Sequence, residues 1–374
     1  MRVLHIIPTL TGGGAENFLC ALITNFDEQI VTAGIMAIYP TDVPLPDEAR
    51  ARVPVIQIRR TGRYDPGFFG RMCKEIRAFR PDIVHAHLHN GKYWGRLAAL
   101  CSRVPIVVFT EHNPCGEERI FPEFLVDVLV NRLTDGIVTF AERQRAVVSH
   151  AERLPLASVS VIENGIALPA PPQPQLREDA RRALELHDET LAVVVLARLI
   201  KRKNQQLAIR MIRVLAPEAR RRVRLFLTGG GQDEAELRRL AAAEGVSEHV
   251  AFLGHRDDAT ALLYGADVMY MPSLAEGMPL AMLEAMSIGV PIVSTPWTGV
   301  YELLRDGELG TIVNDWEPSS SARVLESFLA SPAAFHAIAD RASRYVRDKH
   351  DIRRVARLHE ELYATLASRH GIPA

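Results

Sequence analysis

Short apolar runs, each no longer than one strand, alternate with longer stretches of helical period from end to end of this chain. In the first half the runs are VLHII, VTAGIMAI, VPVIQI, DIVHAH, PIVVFT, DGIVTF and VSVIEN. In the second half they are LAVVVLA, VRLFLTG, VAFLG, DVMYMPS, PIVST and GTIVN. Continuous apolar strands separated by amphipathic helices predict parallel sheets covered on both faces. The expected fold class is α/β. A break falls at ALPAPPQPQLRED, residues 167–179, where Pro169, Pro171, Pro172 and Pro174 disfavour helix and central strand and predict a stiff connector.

The chain therefore divides into two doubly wound, Rossmann-like domains: residues 1–168, a proline-rich linker at 169–179, and residues 180–350. Residues 351–374 form a last helix expected to pack back on the first domain. With 374 residues there is material for two cores. In doubly wound sheets, ligands bind outside the carboxyl ends of the strands, so the expected site is a deep cleft that the two domains face across.

A formal net charge of -1 with 24% charged residues gives no bulk attraction to nucleic acid. Cys20, Cys73, Cys101 and Cys115 lack metal-ligand spacing and read as reduced thiols, consistent with a cytoplasmic location. The apolar runs fall well short of the roughly 18 residues a membrane span needs. Residues 66–80, PGFFGRMCKEIRAFR, raise the question of a peripheral membrane contact on the inner face of the membrane. Against it, Phe68, Met72, Ile76 and Phe79 have core spacing, and the plainer reading is an amphipathic helix with its cations outward.

Chemistry concentrates after the strands. TLTGGGAEN places Gly13 and Gly14 where backbone N–H groups approach a ligand at the next helix start; it matches neither GxGxxG nor GxxxxGK[ST]. After LAVVVLA, Arg198 and Lys203 stand beside a helix N-terminus, which suits a diphosphate; the competing reading is a solvated basic loop. FLTGGGQDE repeats the strand–glycine pattern. In EGMPLAMLEAM, Pro279 and Gly289 bound a helix over about 279–287. Glu276 lies just before it and Glu284 about one and a half turns inside, leaning back toward its start. Two carboxylates near one helix entrance accept hydrogen bonds from vicinal hydroxyls. The alternatives are helix-dipole stabilisation for Glu276 and an exposed face for Glu284.

EGMPLAMLEAMSIGVPIVSTP resembles the E-x7-E segment of retaining GT-B glycosyltransferases of family 4 (glycosyl transferases group 1). TLTGGGAEN, PDIVHAHLHNGKYWGRLAAL, SVSVIENGI, LARLIKRKNQ and DVMYMPSLAEG resemble that family's other blocks in order, with Ala197 where the family often has Gly. The resemblance implies a hexosyltransferase-type enzyme that uses a UDP-, GDP- or ADP-sugar donor, a glycan or lipid-linked acceptor, and neither cofactor nor metal. Glu284 would bind ribose hydroxyls and Glu276 the donor sugar. Arg198 and Lys203 would neutralise the diphosphate and its departing charge. Gly277, Met278 and Pro279 would flank the sugar, and Gly13 and Gly14 would close over the diphosphate or the reaching acceptor from the opposite domain. His87 would face the donor sugar, with Asn90 and His112 on the acceptor side. A metal reading of the three histidines of HAHLH (His85, His87 and His89) plus Glu111 is disfavoured, because alternate residues of one strand rarely complete a tetrahedral site. A nucleotide-sugar epimerase, a phosphorylase and a catalytically idle nucleotide- or sugar-binding module are the rival functions.

Overall fold

The computed structural model describes residues 1–39, 52–60, 65–112, 130–187, 189–256 and 258–373. These form two compact units, Met1–Ala167 together with His350–Ala374, and Leu168–Lys349. Every apolar run named above contains a strand. The first unit holds β1 (Arg2–Ile7), β2 (Thr32–Ala37), β3 (Val55–Gln57), β4 (Ile83–His87), β5 (Ile106–Thr110), β6 (Gly136–Thr139) and β7 (Val159–Val161). They make one sheet in the order β3-β2-β1-β4-β5-β6-β7, and each pairing is parallel. All residues of β4 and β5 are buried. That explains why these runs are apolar without a break, since helices cover both faces.

The second unit repeats the plan. β8 (Leu191–Leu196), β9 (Val223–Thr228), β10 (Val250–Gly254), β11 (Val268–Met271), β12 (Ile292–Ser294) and β13 (Thr311–Ile312) form a parallel sheet in the order β10-β9-β8-β11-β12-β13. Its core runs from Val193 and Val195 through Leu225 and Leu227 to Tyr270 and Val293, packed by Ile209 and Ile212 of the helix Gln205–Val214. Winding proceeds outward in both directions from the first strand of each sheet. Chain direction therefore splits beside β1/β4 and beside β8/β11, the two places where loops part and leave room for a ligand.

The stretch at 169–179 is not a connector throughout. A helix spans Pro174–Ala183 with Pro174 in its first turn, where the missing N–H has no partner to lose and the fixed φ suits the helix. Arg177 and Arg181 of that helix both bind Asp267, anchoring it to the second unit. At the other end of the chain, the helix Ile352–Arg369 packs against the helix Gly14–Thr24 of the first unit.

The helix Phe68–Phe79 buries Phe68, Met72, Cys73, Ile76 and Phe79 in the first core, as the amphipathic reading requires. Among the described residues no helix is long and apolar enough to cross a membrane. Cys20, Cys73 and Cys101 are free thiols, and Cys115 lies outside the described residues.

Candidate active site

In the second unit, the turn after β8 is built on the glycines of FLTGGGQDE. The Ala197 N–H donates to the Thr228 carbonyl at 3.0 Å and the Leu199 N–H to the Gly230 carbonyl at 2.9 Å. Gly229, at φ +132°, and Gly231 lie so close to the Ala197 and Leu199 carbonyls that a Cβ at either would collide with backbone. The triple glycine thus supports the turn that carries Arg198. Arg198 is exposed, and its carbonyl accepts from Gln205 Nε2 at 2.8 Å.

Asn204, left-handed at φ 53°, donates through Nδ2 to the Pro272 carbonyl at 3.1 Å. The Leu274 N–H donates to the Arg202 carbonyl at 2.9 Å. These bonds stitch the turn after β8 to the segment after β11 and bring Lys203 onto Glu276. Lys203 Nζ donates to both Glu276 oxygens, at 2.6 and 2.7 Å, and Ser273 Oγ donates to Glu276 Oε1 at 2.5 Å. Glu276 is 5% exposed. Lys203 was expected on a diphosphate; here its charge is spent on the carboxylate expected to hold the sugar. The two residues share one desolvated spot, and an unpaired charge of either sign would be costly there.

The helix that follows spans Leu280–Ser287, with Pro279 capping it from extended backbone just outside the first turn. Glu284 is half-buried, as its apolar neighbours demand, and Thr260 Oγ1 donates to its Oε2 at 3.0 Å. Burial raises the Glu284 carboxyl above the usual range, and the Thr260 hydrogen bond offsets part of that. Gly277, Met278 and Pro279 are all partly exposed beside it.

In the first unit the histidines form a chain. His87 Nδ1 lies 3.1 Å from His112 Nε2, and His87 Nε2 lies 3.0 Å from Nδ1 of His5 on β1. His85 bonds Tyr363 Oη at 2.7 Å and Thr110 Oγ1 at 2.6 Å. His87 was expected against the donor sugar. It is instead 1% exposed with both ring nitrogens engaged, because the last residue of a strand buried on both faces still points into its own core. His112, half-buried, and Asn90, half-buried in the turn Leu88–Asn90, are the more accessible groups. Burial pushes the imidazolium pKa of His5 and His112 down to about 3 and those of His85 and His87 well below 6.5, with neighbouring imidazoles adding to the effect. Nitrogens of His5, His85 and His87 come within 4.8 Å of one another; both nitrogens of His85 and of His87 and Nδ1 of His5 are bonded to a neighbouring ring, hydroxyl or phenol, whereas His5 Nε2 is buried with no hydrogen-bond partner among the described residues.

The glycine turn after β1 wraps a buried acid. Glu16 is 8% exposed and accepts from Thr9 and Thr11 at 3.2 and 3.3 Å. Gly13 caps the helix that begins at Gly14, and a Cβ on Gly13 would strike the Glu16 carboxylate.

Two family models match in tandem. The model for Glycosyltransferase Family 4 covers residues 12–168, and that for Glycosyl transferases group 1 covers residues 177–347. The chain is a family 4 glycosyltransferase. The putative glycosyltransferase EpsD of Bacillus subtilis (strain 168) is 26% identical over 306 residues, 78% of each protein. A GDP-mannose-dependent alpha-(1-6)-phosphatidylinositol monomannoside mannosyltransferase of Mycolicibacterium smegmatis is 35% identical over 173 residues. That match spans 43% of this chain and 44% of the relative. Among solved structures, Anabaena Alr3699/HepE, in complex with UDP and glucose, superposes with a TM-score of 0.86 at 20% identity, over 98% of this chain and all of that one. The fold of this family 4 transferase is GT-B.

Reading the transferase's sequence alone misses His5, Glu16, Thr260 and Ser273. Each is an ordinary residue in its own run, and only its partner from a distant segment marks it.

Proposed function

We propose that this transferase moves a sugar from a nucleoside-diphosphate sugar to a glycan or lipid-linked acceptor with retention at the anomeric carbon, using protein cations rather than a metal ion for the departing diphosphate. The observation that carries this reading is the Lys203–Glu276 pair at the β8/β11 switch point, with exposed Arg198 five residues before Lys203 and half-buried Glu284 on the helix that follows Glu276. Two cations suit a diphosphate, and two carboxylates suit two sets of hydroxyls. Glu284 binds the ribose, Glu276 the donor sugar, and Arg198 and Lys203 stabilise charge on the leaving nucleotide. The first unit supplies the acceptor side, with Asn90 and His112 as its accessible polar groups and His87 acting behind His112. The UDP and glucose bound to HepE support a nucleotide-sugar donor.

Thermal-shift titration of UDP, GDP, ADP and their sugar conjugates on wild type and Glu284→Ala tests the donor site. A nucleotide at a hundred times its dissociation constant stabilises its unit by about 2.7 kcal/mol. One nucleotide should stabilise the wild type, and Glu284→Ala should lose that response. No response from folded wild type to any of them would overturn the donor-site assignment. Once the donor is known, the anomeric configuration of the product by NMR tests retention, and an unchanged rate in a chelator tests metal independence. Turnover that needs an acceptor, rather than inorganic phosphate or donor alone, separates transfer from phosphorolysis and epimerisation.

A further inference from the structure

The carboxylate of Glu276 is held unequally. Its Oε1 accepts from both Ser273 Oγ at 2.5 Å and Lys203 Nζ at 2.6 Å, whereas its Oε2, among the described residues, accepts from Lys203 alone, at 2.7 Å. The two donors differ in how firmly they are mounted. Ser273 is 1% exposed, and its own carbonyl accepts from Thr295 Oγ1 at 2.7 Å and Trp316 Nε1 at 3.2 Å. The residues on either side are tied as well, Pro272 through Asn204 and Leu274 through Arg202. Lys203 reaches Glu276 on a flexible four-carbon stem from a short turn.

We infer that Lys203 is an exchangeable partner, holding Glu276 in the empty site and turning to the diphosphate when a donor binds, and that Ser273 is the positioning residue that keeps Glu276 aimed once Lys203 has left. This rests on the donor-site reading above. A diphosphate outcompetes one carboxylate for the ammonium because it carries more charge. Departure of Lys203 uncovers Oε2 while Oε1 stays bonded to the Ser273 hydroxyl. The uncovered oxygen is an acceptor for a sugar hydroxyl. Sugar recognition thereby becomes conditional on the diphosphate, and a free monosaccharide meets an occupied carboxylate.

Two results follow that a plain sugar-binding role for Glu276 does not produce. Removing the carboxylate leaves the half-buried ammonium of Lys203 without its ion-pair partner, and an arriving diphosphate relieves that cost. Glu276→Gln should therefore bind UDP, GDP or ADP, whichever protects the wild type, about ten-fold more tightly, although it loses the preference for the sugar conjugate. In a Lys203→Met background the same change should leave nucleotide affinity where it was. Ser273→Ala should keep the wild-type affinity for the free nucleotide while lowering that for its sugar conjugate about ten-fold or more, a loss expected for one hydrogen bond to a charged group. Ser273→Thr, which restores the hydroxyl, should recover it.

Isothermal titration with UDP and UDP-glucose, with GDP and GDP-mannose, and with ADP and ADP-glucose reads all of these. Thermal unfolding of each variant establishes that it is folded, and the Lys203→Met/Glu276→Gln double variant removes both charges should the single change prevent folding. Unchanged or weaker nucleotide binding in Glu276→Gln overturns the exchange. So does a gain that persists without Lys203, which would mark simple charge repulsion. An equal loss of nucleotide and sugar nucleotide in Ser273→Ala would reduce Ser273 to a structural residue. Failure of every nucleotide to bind wild type would remove the donor site and this inference with it.

Discussion

Glu284 shows how one position is pulled between folding and the ribose-binding role proposed for it. Half-buried among Leu283, Ala285 and Met286, it has Thr260 as its hydrogen-bond partner, and burial raises its carboxyl above the ordinary range. The sign is definite: a carboxyl raised in the folded state favours folding when protonated, and that contribution is lost as pH rises through the raised value. Ribose hydroxyls need the opposite, an ionised acceptor. Nucleotide affinity should therefore fall as pH drops into the raised titration range, and Glu284→Gln should bind weakly with little pH dependence while unfolding at a slightly higher temperature at pH 8. Calorimetric titration across pH 5–8 and thermal melts check both halves. The glycines at this scale are equally specific. Gly229→Ala puts a methyl into the Ala197 carbonyl from left-handed backbone, so it should displace the Arg198 turn and weaken nucleotide binding even where the variant folds.

At the scale of elements, the returning helix Ile352–Arg369 is held to the first unit by more than apolar contact. Tyr363 is fully buried and bonds His85 on β4, 278 residues away in sequence. His359, one turn earlier, donates its Nδ1–H to the Val355 carbonyl at 2.9 Å and packs tilted against His85. Tyr363→Phe leaves a buried imidazole nitrogen without its partner and should cost about 1–3 kcal/mol in chemical denaturation of the first unit. Nucleotide protection of the second unit should be unaffected, since Arg198, Lys203, Glu276 and Glu284, the residues proposed there for the donor, lie within Leu168–Lys349. The helix over residues 68–79 was legible from its spacing because one face of a surface helix repeats every 3.6 residues. The helix at Pro174–Ala183 was not: proline reads as a breaker until the first turn is known to begin at it.

Across the whole molecule, buried titratable groups are distributed unevenly. His5, His85, His87, His112, His350 and His359 all have pKa values lowered by burial, to about 3 for His5 and His112 and about 4 for His359, and all six belong to the first unit. A histidine whose folded pKa is depressed contributes stability above its unfolded value near 6.5, and loses it as pH falls toward the folded value. By pH 5 His5, His112 and His359 each cost the folded first unit on the order of 2 kcal/mol, His85, His87 and His350 act in the same direction, and Glu284 in the second unit shifts the other way. Acid should therefore unfold the first unit before the second. Two separated transitions in a melt near pH 5, with nucleotide stabilising only the later one, would bear this out; a single transition at every pH would contradict it.

What the sequence by itself determined is local and periodic. Strand-length apolar runs specified the thirteen strands of the described residues, in two sheets, because a strand covered on both faces must be apolar throughout. The blocks after those strands specified the family and placed Arg198, Glu276 and Glu284 near strand ends, where a doubly wound sheet leaves room for ligands. What only the tertiary structure decided is pairing. Lys203 and Glu276 stand 73 residues apart, His5 and His87 are 82 apart, and Thr260 meets Glu284 across 24. No spacing rule links such residues, since a hydrogen bond depends on where two distant segments bring their atoms. The same packing turned His87 inward, engaged Lys203 with an internal carboxylate and made Ser273 a support for it.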